Sequence, residues 1–326
     1  MRNSNTVKNG LLVFLIIFMC FKTEAQELVV RSPNTTIEIK LSNNQDLKYS
    51  VNFNNQIVVN PSVLGFEFSN EAPMQGDFEI LNQEITEFKE VWEPVVKSKH
   101  ASILNHYNQL KISFKEKTGM YRAMELYIRV FNDGVGFRYE FPEQPNLKEV
   151  LITDENTDFN LTGDHKVWWI PGDWDIYEHL YSETQFTEID ALSKQNHENL
   201  AATYIPENAV NTPVTMRSDD GLHLVFHEAN LTNYAGMTLK VNNETLQLTS
   251  ELVGSDRLGH KAKVELPFKT PWRTIQIADK AGDLIESRLI ENLNEPSKLE
   301  DISWFAPMKY VGIWWEMHLG LSTWDM

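Results

Sequence analysis

Cysteine is all but absent: Cys20 is the only one in 326 residues. It falls in the opening stretch, ahead of everything that looks like a folded domain. A disulfide framework, a thiol nucleophile and a cysteine-ligated zinc site are thereby excluded for the rest of the chain. Basic side chains are also scarce, with 29 Lys and Arg against 46 Asp and Glu and a formal net charge of −17. An acidic surface repels polyanions, so nucleic acid and anionic membranes are poor partners. No nucleophile elbow, His-Glu-x-x-His zinc helix, phosphate-binding loop or dinucleotide fingerprint occurs. No apolar run is long enough to span a bilayer.

The one apolar run that stands out covers residues 11–21, behind Arg2 and Lys8 and ahead of Ala25. A basic start, a short apolar core and a small residue at the cut describe a secretory signal peptide, residues 1–25. Removing it takes away Arg2, Lys8, Lys22 and Glu24 and leaves 26 basic against 45 acidic residues, net −19. The expectation is an exported protein, periplasmic or extracellular, with no membrane attachment after cleavage. Its length permits a core that needs no covalent staples.

Most of the mature chain alternates apolar and polar residues with the period of strands. Residues 36–41 and 47–53 alternate around a polar turn, and Asn54-Asn55 turns again into residues 56–59. Residues 109–114, 124–131 and 135–141 continue the series, with Asn132-Asp133-Gly134 as a turn. Residues 223–226, 238–241, 245–249 and 272–277 read the same way. Residues 187–211 are polar and irregular with a weakly helical start, and residues 283–293 suggest a short helix followed by a strand. The fold class predicted is mainly β, a large antiparallel sandwich over residues 26–296.

Near the middle stands Trp168-Trp169-Ile170-Pro171-Gly172-Asp173-Trp174-Asp175-Ile176-Tyr177-Glu178. Pro171 fixes φ and Gly172 permits a bend, so an apolar strand must end here and turn outward. Acid beside indole suits a site for sugars or a hard cation, since indoles stack on C–H faces and carboxylates take hydroxyls or metals. Core tryptophans at a strand end are the plain alternative. The histidines, among them His106, His179 and His227, are scattered and read as hydrogen-bonded strand or turn residues.

The tail departs from this pattern. Residues 309–315 form a nearly continuous apolar run, as in a strand buried on both faces of a parallel sheet. Such a strand needs neighbours, and one followed by a loop resembles the first step of a further α/β domain. Residues 297–326 are accordingly expected to be a linker and the first strand of such a domain, cut short.

Taken in order, Leu64-Gly65, residues 105–108, 131–141, 169–173, 219–222, 227–229, 270–274, 293–296 and 309–315 resemble glycoside hydrolase family 97. These exported enzymes cleave α-linked glucosides or α-galactosides. The resemblance implies an amino-terminal β-super-sandwich followed by a (β/α)8 barrel, of which this chain holds only the beginning. It implies that Glu178, five residues past Asp173, reaches a Ca2+ ion as a ligand. It places Trp314 and Trp315 at the end of the first barrel strand, where they contact substrate. The substrate implied is an oligosaccharide with terminal α-linked glucose or galactose, and the partner is the catalytic barrel of the same polypeptide. The general acid and its base or nucleophile lie on later barrel strands, so no catalytic residue is assigned here. The rival reading is a non-catalytic secreted glycan-binding β-sandwich that uses Trp168, Trp169 and Trp174 as its platform.

Overall fold

A computed structural model describes residues 27–96, 99–195, 203–254, 257–304, 306 and 308–323; the leader expected over residues 1–25 lies outside them. Strands dominate. In chain order they are β1 (Leu28–Arg31), β2 (Ile37–Asn43), β3 (Leu47–Phe53), β4 (Gln56–Leu64), β5 (Phe66–Phe68), β6 (Phe78–Trp92) and β7 (Ile103–Glu116). Next come β8 (Ala123–Phe131), β9 (Gly134–Phe141), β10 (Glu149–Glu155), β11 (Asp158–Leu161), β12 (Lys166–Trp169), β13 (Ser182–Gln185) and β14 (Ala209–Asn211). The series ends with β15 (Val214–Arg217), β16 (His223–Ala229), β17 (Met237–Asn242), β18 (Gln247–Leu252), β19 (Ala262–Glu265), β20 (Phe268–Lys269) and β21 (Trp272–Ala278). Helices are short: α1 (Ala281–Glu286), α2 (Leu289–Leu293) and α3 (Trp314–His318).

One sheet runs β1-β2-β3-β4-β11-β18-β17-β14 and a larger one runs β13-β12-β15-β16-β21-β9-β8-β7-β6, with β20 pairing β9. A three-stranded sheet, β19-β10-β5, completes the molecule, and every pairing between strands is antiparallel. The two large sheets face one another. Tyr49 of β3 meets Phe137 of β9 with ring centres 4.9 Å apart, and Phe159 of β11 meets Phe226 of β16 at 5.1 Å. The expected large antiparallel sandwich is therefore the fold.

Alternation explains most of it. In β2, Ile37, Ile39 and Leu41 are buried while Glu38 and Lys40 face outward, and β3 repeats the pattern with Leu47, Tyr49 and Val51. β6 is different, for nearly all of it is exposed. Among the described residues it pairs only with β7, at the sheet's edge, and its charges Glu84, Glu87, Lys89 and Glu90 guard that edge against pairing with another chain.

Residues 283–293 do not give a helix followed by a strand; they give α1 and then α2. Both long sides of β21 are already taken, by β16 and β9, so no strand position is open beside it. Instead α2 lies over the outer face of the large sheet. Leu289 and Leu293, four residues apart, pack into a second apolar cluster with Tyr107, Phe131 and Trp272. The floor beneath is glycine. A Cβ on Gly136 would stand 2.5 Å from Leu293 Cδ1, and one on Gly134 3.0 Å from Leu289 Cδ2.

The tail also differs from expectation. Residues 309–313 form no strand, and Trp314-Trp315 begin α3 instead. A strand of parallel type is stable only between neighbours, and no described strand lies beside this one. Residues 308–321 are consequently exposed almost throughout.

Candidate functional site

β12 ends as the sequence dictates. Trp169 is 1 % exposed, with its Nε1 donating to Thr184 Oγ1 at 3.0 Å. Trp168, on the opposite face, donates to Glu183 Oε2 at 3.0 Å. Pro171 bridges Val210, and Gly172 N–H donates to Ala209 carbonyl at 2.7 Å. A Cβ at Gly172 would meet Ala209 Cβ and Ile205 Cδ1 at 3.1 Å each, so a side chain there would have to push the facing segment back by a few tenths of an ångström.

Asp173 organises the segment beyond the turn. Its side chain is fully buried. Its Oδ1 accepts from the backbone N–H groups of Asp175 and Ile176 at 2.9 and 3.0 Å and from the Thr203 hydroxyl at 2.7 Å. Its Oδ2 accepts from Thr203 N–H at 3.1 Å and meets His179 Nε2 at 3.2 Å. Burial pushes this carboxyl's pKa up, but the donors gathered around the carboxylate outweigh it and hold the pKa below the ordinary value. The ring of His179 packs on Tyr204, with centres 5.0 Å apart.

These bonds wrap residues 174–180 around a buried carboxylate and set their course outward. Glu178 stands on that course, exposed, between Tyr177 and the anchored His179. No hydrogen bond or ion pair engages its carboxylate among the described residues. Tyr177, Leu180 and Tyr181 beside it are 61, 88 and 64 % exposed, an apolar tip around one free acid. Among the described residues no three His, Cys, Asp or Glu side chains gather closely enough to hold a metal ion. Glu178 is thus a single carboxylate outside any such group among the described residues.

Trp314 and Trp315 are not brought to Glu178 by any described contact. They are 63 and 75 % exposed on α3, with the Trp314 ring 4.4 Å from that of His318. The three indoles considered as a glycan platform are dispersed as well. Trp169 is core, while Trp168 and Trp174 line separate depressions.

Sequence reasoning passed over the buried ion cluster that ties the sheets together. Arg273 donates through Nε and Nη2 to both oxygens of Glu155 at 2.7 Å, and through Nη1 to Glu228 at 2.6 Å. Glu228 also accepts from Met237 N–H at 2.9 Å, and Tyr234 donates to Glu155 at 3.2 Å. Next to it in sequence, burial pushes the His227 imidazole down to about 4. The only hint in the sequence was charge inside otherwise apolar strands.

With this geometry in view, comparison with known proteins is specific. Residues 30–296 match the family described as Glycosyl-hydrolase 97 N-terminal. A retaining α-galactosidase of Bacteroides thetaiotaomicron is 22 % identical over 328 aligned positions, covering 93 % of this chain and 46 % of that protein. A glycoside hydrolase family 97 enzyme of Pseudoalteromonas sp. strain K8 is 35 % identical, with a TM-score of 0.80 over 91 % of this chain and 42 % of that one. Structures of that enzyme include complexes with panose and with acarbose. A β-arabinopyranosidase shares the fold at a TM-score of 0.64 and 20 % identity, over 78 % of this chain and 40 % of that one. The chain spans less than half the length of these relatives. It belongs to glycoside hydrolase family 97, of which it carries the N-terminal domain.

Proposed function

We propose that this chain is the N-terminal part of a calcium-dependent α-glycosidase that removes terminal α-linked glucose or galactose from oligosaccharides. The observation that carries the reading is Glu178: an unpaired, exposed carboxylate at the head of a loop whose base is fixed by Asp173. Five donors to Asp173 fix the base of that loop. The relatives support a sugar substrate, since one is named an α-galactosidase and another binds panose and acarbose.

In this reading the sandwich is a rigid support and the loop an arm reaching into a neighbouring barrel. Glu178 supplies one oxygen to Ca2+, and the remaining ligands and both catalytic carboxyls belong to that barrel. The bound ion supplies Lewis-acid polarisation at the glycosidic oxygen. Tyr177, Leu180 and Tyr181 bury their apolar faces against the barrel and keep water from the ion. Trp314 and Trp315 contact substrate once the barrel orders their segment. Residues 1–25 direct export to the periplasm or the exterior.

The test is hydrolysis of panose and of an α-galactoside by the intact polypeptide, before and after chelation. Activity abolished by chelator, restored by Ca2+ and reduced in Glu178→Gln is the expected result. Activity indifferent to both changes would show that the arm serves another purpose.

A further inference from the structure

The loop that carries Glu178 is gripped by a residue of the opposite sheet. Asn211 ends β14, the outermost strand of the eight-stranded sheet, whereas β12, from which the loop springs, belongs to the larger one. Asn211 is 1 % exposed. Its backbone N–H donates to the Ile170 carbonyl at 3.2 Å, which seats it against the end of β12. Its Oδ1 then accepts from Asp173 N–H at 3.1 Å, and its Nδ2 donates to the Ile176 carbonyl at 3.3 Å, two residues short of Glu178.

Asp173 and Thr203 hold the first leg of the loop, and their reach ends at the Ile176 N–H. Between Ile176 and Glu178, Asn211 is the one group from outside the loop engaged by a hydrogen bond among the described residues. Ile176 is thereby held at both ends of its backbone, the N–H by Asp173 and the carbonyl by Asn211. Only a side chain that accepts and donates at once can bind both legs, and a primary amide does so. Asn208, three residues earlier, makes the contrast. It accepts from Ala191 N–H at 2.8 Å and donates to the Ile189 carbonyl at 3.1 Å and to Asn243 Oδ1 at 2.9 Å, so its bonds serve a different loop.

We propose that Asn211 is a positioning residue for Glu178: by tying Ile176 to the eight-stranded sheet it sets where the Glu178 carboxylate stands, and with it the calcium affinity of the intact polypeptide. The inference rests on the calcium reading of Glu178. Groups that orient a metal ligand govern affinity almost as strongly as the ligand itself, because a carboxylate displaced from its cation loses the bond.

Calorimetric titration of Ca2+ into the intact polypeptide tests it, on wild type, Glu178→Gln, Asn211→Leu and Asn208→Leu. Asn211→Leu should bind Ca2+ about tenfold more weakly, and its turnover of panose or an α-galactoside should recover as Ca2+ is raised to saturation. Asn208→Leu, which gives up three hydrogen bonds of its own, should lower the unfolding midpoint and keep wild-type calcium affinity. Asn211→Ser is too short to reach either partner and leaves the site polar, so it gives the same reading if the leucine variant does not fold. Weakened binding in Glu178→Gln with wild-type affinity in the folded Asn211 variants overturns this proposal alone, and so does equal weakening in Asn208→Leu. Unchanged binding in Glu178→Gln overturns the calcium reading and the proposal with it.

Discussion

Glu178 and Asp173 divide one task between an exposed acid and a buried one, and substitution should separate them. Glu178 touches nothing that holds the fold, so Glu178→Gln should leave stability within about 0.5 kcal/mol of wild type by urea denaturation. Asp173→Ala strips acceptors from Asp175, Ile176 and Thr203 and should cost about 3 kcal/mol. Limited proteolysis should then cut within residues 174–181, where wild type resists. At Arg273 the penalty is larger in kind: Arg273→Met leaves Glu155 and Glu228 buried without a counter-charge, and a loss of about 3–5 kcal/mol is expected in the same assay. Glu178 was singled out only through family likeness, since one acid among many carries no signal of its own. Asp173 stood inside a visible Pro-Gly-Asp turn, yet its role depends on Thr203, thirty residues away in sequence, which no local pattern reveals.

At the level of elements, alternation made the paired strands readable, and β3 spans the same residues in structure as in pattern. Segments decided by their neighbours were not readable. Residues 283–293 contain apolar side chains compatible with helix or strand, and only the occupied sides of β21 exclude the strand. Residues 309–315 have the composition of a buried strand and lack partners to make one. The glycine floor under α2 gives a direct check. Gly136→Ala forces a methyl into Leu293 and should displace α2 at a cost of about 1–3 kcal/mol, with faster hydrogen exchange in residues 289–293 than in the strands around them.

For the molecule as a whole, acidity and a lone cysteine leave stability to packing and to buried polar groups whose ionisation depends on pH. His227 is the clearest. Its pKa falls from 6.5 unfolded to about 4 folded, so the unfolded chain takes up the proton first as pH drops. Its contribution is complete above about pH 6.5 and declines between there and about 4, by up to about 3 kcal/mol. His227→Gln should therefore show a shallower loss of denaturation midpoint from pH 7 to pH 4.5 than wild type; parallel curves would count against a neutral buried imidazole. The sandwich class was legible from strand count and turn spacing, whereas the facing of the two large sheets and the dispersal of Trp168, Trp169 and Trp174 were not, because period-two patterning fixes a residue's face without naming what covers it. Whether this scaffold lends a carboxylate to a cation is answered most directly by calorimetric titration of Ca2+ into the intact polypeptide and its Glu178→Gln variant. The account predicts binding at least about tenfold weaker in the variant with an unchanged unfolding midpoint, and equal calcium affinity in the two proteins would contradict it.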